Sequence, residues 1–237
     1  MVKTMLMRLA RYLAFRFGVG TAFYKRICRP GGEEWGALLK SRHTFYGMGE
    51  HCSIQTNVSI TDPKYVRLGN NVRLSGCTIF GHDGAVNMLN HAYGLNLDRV
   101  GKVEILDNVF IGHGAIVLPG ATIGPNTIVA AGAVLTGDAE ANSVYGGVPA
   151  RRIGSIDDVV GRMQREHASY PWQHLIAARG PRFDPAIQPQ LDLLRSRHFF
   201  EAPGQQKPGN EPATIRPLSS AVSAFRAAET ATQSPLI

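Results

Sequence analysis

A chain of 237 residues with 44% hydrophobic content can form one core domain with appendages, and its composition is ordinary for a soluble protein. The net charge of +7 is spread among the N-terminal segment, Arg151 and Arg152, and the 160s to 190s. The bases form no compact patch alternating with aromatics, which argues against nucleic acid as a partner; Cys28, Cys52 and Cys77, an odd count without CxxC spacing, exclude a disulfide framework and fit a reducing compartment.

The first fifteen residues carry Val2, Met5, Leu6, Leu9 and Leu13 at helical spacing, with Lys3, Arg8 and Arg11 on the other side. Arg8, Arg11 and Arg16 interrupt any apolar run, so this basic amphipathic helix is neither a secretory signal nor a membrane span. Two roles stay open: lying on an anionic membrane surface as a peripheral contact, or folding onto the end of the next domain.

From Met48 the periodicity changes to six. Met48, Ile54 and Ile60 form one run with Cys52 and Val58 between them; after a two-residue slip, Leu68, Leu74 and Phe80 form a second with Val72 and Thr78. Residues His82 to Lys102 then carry no such pattern, and Phe80 to Ile105 is 25 residues, one more than four hexads. A segment of this size is an insertion thrown out of the repeat, and long loops of that kind are usually functional.

The beat returns as Ile105, Ile111, Val117, Ile123, Val129 and Leu135, with Val109, Ala115, Ala121, Thr127, Ala133 and Ala139 four places after each. Neither a helix of period 3.6 nor a strand of period 2 sustains this spacing. A chain that turns a corner every six residues sends one aliphatic side chain inward per face, and three faces close a triangular coil of about eighteen residues. The solenoid needs caps at its open ends, which the non-repeating termini supply.

After Ile153 the pattern becomes helical: Ser155 is a fit N-cap with Asp157 and Asp158 in the first turn, Val159, Val160 and Met163 share a face, and Pro171 stops the run. A further helix is expected near Ile187 to Phe199, and from Pro203 the composition predicts a disordered tail. The expected domains are an N-terminal helical cap (1–46), the solenoid (47–153) with its loop at 82–102, a C-terminal helical extension (154–202) and the tail (203–237).

The hexads Ile111-Gly-His-Gly-Ala-Ile and Ile123-Gly-Pro-Asn-Thr-Ile, the run Ala130-Ala-Gly-Ala-Val-Leu-Thr and the close Gly147-Val-Pro-Ala-Arg-Arg-Ile resemble the hexapeptide-repeat acyltransferases. Gly81-His-Asp-Gly at the head of the loop most resembles the branch that O-acetylates sugars of bacterial surface polysaccharides. The resemblance implies a left-handed parallel β-helix, the hand coming from the family because parallel crossovers generally favour the right. It also implies a cytoplasmic homotrimer with acetyl-CoA lying between neighbouring subunits, and a free, nucleotide-linked or lipid-linked sugar as acceptor.

Acyl transfer from a thioester needs a base near the attacking oxygen or nitrogen, and histidine is mostly neutral at cellular pH. Of eight histidines, His43, His167, His174 and His198 lie outside the solenoid and His51 sits in an early hexad. His82, where the coil opens into the loop, matches the histidine of the family's His-Asp motif and is expected to be the general base; His91, inside the loop, is second. Asp83 is a candidate for substrate binding or loop fixing, since adjacent side chains on an extended strand point to opposite faces. The partner that orients His82 could equally be a backbone carbonyl. No acyl-enzyme is required.

For the donor, His113 and Ala131 are eighteen residues apart and both third in their hexads, so they should stack on one edge. By resemblance Ala131 contacts the pantetheine arm, Thr136 and Gly137 match a Thr-Lys pair whose lysine is absent here, and Arg151 lies near the 3′-phosphate of CoA with Arg152 assisting. Two other classes compete. The γ-type carbonic anhydrases bind metal through three histidines, but Leu118 stands where a third ligand would follow His82 and His113, so no metal is expected. A non-catalytic scaffold would lack a base in its loop.

Overall fold

The structure, a computed structural model, describes residues 2–179 and 183–201; the expected tail after 203 lies outside them. Three helices open the chain: α1 (Val2–Phe17), α2 (Thr21–Cys28) and α3 (Gly32–Ser41). The solenoid follows as short strands, three to a coil. The first coil holds β1 (Gly47–Met48), β2 (Ser53–Ile54) and β3 (Ser59–Ile60); the second holds β4 (Val66–Leu68), β5 (Arg73–Leu74) and β6 (Thr78–Ile79). The insertion contains α4 (Ala85–Tyr93). Next come β7 (Val103–Ile105), β8 (Val109–Ile111) and β9 (Ile116–Val117), then β10 (Thr122–Ile123), β11 (Thr127–Val129) and β12 (Val134–Leu135). An antiparallel pair, β13 (Ser143–Gly146) and β14 (Arg151–Ser155), closes the stack.

The strands pair in parallel with the same face of the next coil, giving sheets in the order β1-β4-β7-β10, β2-β5-β8-β11-β13-β14 and β3-β6-β9-β12. The six aliphatics from Ile105 to Leu135 are all between 0 and 2% exposed, and the six small or β-branched residues four places later between 0 and 3%. Full burial of each Ile, Leu or Val is worth roughly 1.5 to 3 kcal/mol, so the interior column is the main stabiliser of the coils. One corner carries a second column: Asn71, Asn108, Asn126 and Asn142 all adopt the left-handed backbone region that asparagine tolerates. Their amides bond upward, Asn71 to Asn108 at 3.0 Å, then Asn108 to Asn126 and Asn126 to Asn142 at 2.9 Å each.

Coil length varies. Ile105 pairs with Ile123 and Ile111 with Val129, eighteen residues on, whereas Met48 pairs with Leu68 and Ile54 with Leu74, twenty on. The expected inward residue Phe80 is corrected to Ile79, which pairs with Ile60 and Val117 and is fully buried. Cys77, 1% exposed, takes the small inward place expected for Thr78. The turn at Gly76, with φ of 56°, shortens this side of the coil by one residue.

The open end at the first coil is covered by α3. Gly32 and Gly36, one turn apart, let this helix come so close that a Cβ on Gly36 would stand 2.9 Å from the Cys52 carbonyl oxygen. Trp35 and Leu39 pack on the solenoid core beside Met48. Helix α1 sits behind, where Ala10 and Ala14 are buried against Tyr24 of α2 and Leu38 of α3. The Tyr24 hydroxyl donates to Glu34, which also pairs with Arg11 at 2.7 Å and ties the three helices together.

Beyond the solenoid come α5 (Ile156–Ser169), α6 (Gln173–Arg179) and α7 (Gln188–Phe200). Ser155 caps α5, accepting from the Asp158 N–H and donating to its carboxylate. The chain divides into two compact units, one through Glu166 and one from His167. In the second unit Leu191 is fully buried and Trp172 is enclosed by Tyr170, His198 and Phe199.

Candidate active site

The insertion leaves the solenoid through a narrow neck. His82 forms an antiparallel bridge with Val100, the Asp83 N–H donates to the Arg99 carbonyl at 3.0 Å, and the Gly101 N–H to the Gly81 carbonyl at 2.8 Å. Between these rungs stands α4, ended by Gly94 in the left-handed region. The Asn90 side chain exchanges two hydrogen bonds with the Leu97 backbone, at 2.8 and 2.9 Å, which folds the return segment back on the helix. The catalytic candidate at the neck is therefore fixed by backbone pairing on both sides.

The imidazole partner comes from the previous coil. Nδ1 of His82 lies 2.5 Å from Oδ2 of Asp62, and Thr61 donates to the same oxygen at 2.8 Å while accepting the Gly81 N–H at 3.2 Å. The bond from His82, and after it that from Thr61, hold the Asp62 carboxyl below the ordinary carboxylate range. An ionised carboxylate can only accept, so Nδ1 carries a proton; in the neutral ring that leaves the lone pair on Nε2, the arrangement a general base requires. Gly81 allows this approach: a Cβ there would stand 2.6 Å from the Asp62 Cβ. The sequence reading missed Asp62: the coil offset is twenty on two faces but nineteen on this one, Ile60 to Ile79, so the spacing alone did not pair Asp62 with His82.

Asp83 turns elsewhere, accepting the Ala85 N–H at 3.0 Å and facing Arg99 at 3.6 Å. It starts α4 and braces the neck. His91 lies exposed in the last turn of α4.

Beside the neck a groove of about 410 Å³ runs along β4 and β7, lined by Tyr46, Lys64, Tyr65, Arg67 and the segment Val100 to Glu104. Its lining adjoins the pair along the chain: Asp62 leads into the short turn Pro63–Tyr65, and Val100 is bridged to His82. Tyr46 and Tyr65 are exposed, Arg67 lies over the Tyr46 ring at 5.1 Å and meets Glu104 at 3.2 Å. Hydrogen bonding from Lys102, with Arg67 adding, holds the Glu104 carboxyl low. Aromatic faces and cations with one ionised carboxylate suit a polar ring compound carrying negative charge. Sequence reading missed this groove as well.

The donor-side candidates divide between the two edges of the β6-β9-β12 face. His113 is exposed ahead of β9, beside Gly76 of the coil before, and the Gly132 N–H donates to its carbonyl at 2.9 Å. Ala131 stacks over Gly112, where an added Cβ would meet the Ala131 nitrogen at 2.5 Å. Thr136 and Gly137 follow β12 on the far side of that face, both exposed. Val134 accepts the Ala150 N–H at 2.8 Å and donates to the Gly147 carbonyl at 3.0 Å, so the segment leading to exposed Arg151 lies one coil above β12. Arg152 faces Glu140 at 3.9 Å. Strands β6 and β9 are neighbours, but His82 follows β6 while His113 precedes β9, so within one chain they occupy opposite edges of a face.

Burial raises the Cys52 thiol and pushes that of Cys77 up to about 11, so neither presents a thiolate. Among the described residues no group of three His, Cys, Asp or Glu side chains is gathered to hold a metal, and no helix is long and apolar enough to cross a membrane.

Parallel coils of six-residue turns, broken once at a His-bearing neck, define the architecture as a solenoid of hexapeptide turns. Residues 102–137 match the family described as bacterial transferase hexapeptide (six repeats). Protein CapG of Staphylococcus aureus is 38% identical over 114 residues, covering 46% of this chain and 66% of that one. Galactoside O-acetyltransferase of Escherichia coli is 30% identical over 116 residues, covering 47% and 54%. The chain thus spans about half the length of several curated relatives it matches. Among solved structures, a hexapeptide-repeat acetyltransferase of Vibrio cholerae aligns at 21% identity over 66% of this chain and 93% of that one, with a TM-score of 0.44. A galactoside acetyltransferase in complex with coenzyme A aligns at 21% identity over 68% and 84%, with a TM-score of 0.41.

Proposed function

We propose that the chain transfers an acetyl group from acetyl-CoA to a hydroxyl of a sugar, with His82 as general base and Asp62 as its orienting partner. The observation that carries this reading is the 2.5 Å contact of His82 with Asp62 at the neck, beside a groove of tyrosines and cations. The acceptor ring lies in that groove with its hydroxyl toward Nε2. As the hydroxyl oxygen attacks the thioester carbon its proton passes to Nε2, the carbon–sulfur bond breaks, and the imidazolium returns the proton to the departing CoA thiolate. Backbone N–H groups at the corners stabilise the oxyanion. The raised thiols of Cys52 and Cys77 agree with direct transfer without an acyl-enzyme.

The left hand of the coil and the homotrimer come with the resemblance, and the opposite-edge placement of His82 and His113 supports the assembly. His113 and Ala131 meet a base at His82 only when a second copy brings its edge alongside, while Thr136 and Gly137 lie beyond β12 on the His82 side of the face. Asp83 serves the site by fixing the neck. Relatives named galactoside O-acetyltransferase support a sugar acceptor and favour O- over N-transfer; the cytoplasm and a surface-polysaccharide product come with the resemblance alone.

The test is release of CoA thiol from acetyl-CoA by the purified chain against a panel of glycosyl acceptors. Acid–base help is typically worth about 10²- to 10⁴-fold, so His82→Ala should cost at least about a hundredfold in kcat. A loss of less than about tenfold removes His82 from the role.

A further inference from the structure

Helix α1 packs the unexpected way round. A surface helix normally turns its large apolar residues to the core. Here the small residues Ala10 and Ala14 are 1% and 0% exposed against Tyr24 and Leu38, while Met5 is 69% and Leu9 52% exposed. Val2, Leu6 and Tyr12 are exposed beside them, continuing the outward stripe. The solenoid end that could have buried this stripe is already covered by α3 through Gly32, Trp35, Gly36 and Leu39. Among the described residues, therefore, nothing covers the leucine face.

Charge identifies the occupant. Seven Lys and Arg side chains and no Asp or Glu precede Glu33, a number equal to the formal net charge of the whole chain, +7. Along one flank of α1, Arg8, Arg11 and Arg16 rim an open groove of about 530 Å³ floored by Tyr12 and Phe15. An apolar stripe bordered by arginines above a greasy floor matches the acyl-chain and phosphate layers of a bilayer leaflet, and arginine can reach phosphate while its stem stays among hydrocarbon. A second copy of this chain would bring arginines against arginines.

We propose that α1 docks on an anionic lipid bilayer, with Val2, Met5, Leu6 and Leu9 entering the interface and Arg8 and Arg16 on lipid phosphates. This holds the solenoid at a membrane surface without a spanning segment, and it stands independently of the acyl-transfer reading.

The experiment is sedimentation of the full chain with phosphatidylcholine vesicles, with and without phosphatidylglycerol. The chain should pellet with the anionic vesicles and be released by high salt. Leu9→Glu, at a position whose exposure leaves the melting temperature unchanged, should weaken binding by at least about tenfold, and Arg8→Gln with Arg16→Gln by about thirtyfold. Equal recovery from both vesicle types, or unchanged binding of Leu9→Glu, overturns the proposal. So does a fall in oligomer mass in Leu9→Glu without any change in vesicle binding, which would assign the stripe to contacts between copies.

Discussion

His82 is oriented by Asp62, twenty residues back and one coil below, through a 2.5 Å contact between Nδ1 and Oδ2. The neighbouring Asp83 is spent on the Ala85 N–H and Arg99. A His-Asp pair adjacent in sequence is thus a different object from the pair in space.

Replacing Asp62 by Asn removes the acceptor that holds the Nδ1 proton. The share of acid–base catalysis that depends on the correct tautomer should go with it, a fall in kcat of about ten- to a hundredfold with little change in the KM for acetyl-CoA. Asp83→Asn should instead lower the melting temperature of the neck and leave the pH profile of kcat in place. Steady-state kinetics of the two variants across pH decides between the carboxylates.

The pH dependence of stability has a defined sign. The Asp62 carboxyl is lowered in the fold, so its contribution is present above the ordinary carboxylate pKa of about 4 and disappears as pH falls through the lower folded value. Melting temperatures of wild type and Asp62→Asn should converge below about pH 4 and stay apart above it.

Gly81→Ala should mimic the loss of Asp62. The added methyl would lie 2.6 Å from the Asp62 Cβ and push the two coils apart at the pair. Protection of the variant by acetyl-CoA in a thermal melt should persist, because His113 and Ala131 lie at the opposite edge of the face, while kcat falls. A variant with wild-type kcat would separate the pair from catalysis.

In the groove, Tyr46→Ala and Arg67→Ala should raise the KM for the acceptor by roughly five- to tenfold each, the usual loss for one aromatic or charge-assisted contact, with the KM for acetyl-CoA unchanged. Acceptor and donor titrations on the same preparations measure both.

The corner column makes a stability prediction free of the activity. Asn126→Ala loses bonds to Asn108 and Asn142 and puts at a φ of 53° a residue that tolerates the left-handed region less well than asparagine, costing about 1 to 3 kcal/mol. Asn126→Gly should recover the backbone part of that cost. In the interior, Ile111→Ala should cost about 2 to 5 kcal/mol, because neighbouring coils cannot collapse onto the gap. Chemical denaturation of the three variants gives the ranking.

Much of the solenoid was legible because its interior is a column with one demand repeated: an aliphatic at each face and a small residue at each corner. The spacing from Ile105 to Leu135 reads directly as that column, and all six residues are buried. Legibility failed at Ile79 and Phe80, two apolar neighbours either of which satisfies the beat; pairing with Val117 chose the first. The insertion was visible as a broken rhythm, but its helix, its Asn90 clasp and the groove beside it depend on which residues the neck brings together.

The α1 stripe shows the same division. Its amphipathic spacing was plain, while the choice between capping and outward exposure rested on α3 reaching the solenoid end first through two glycines. What the sequence determined by itself was everything set by local periodicity: the coils, their interruption, the flanking helices and a histidine at the break. Only the tertiary structure decided the partner of that histidine and the exposed face of α1, because both depend on contacts between coils or helices whose offsets no local pattern encodes.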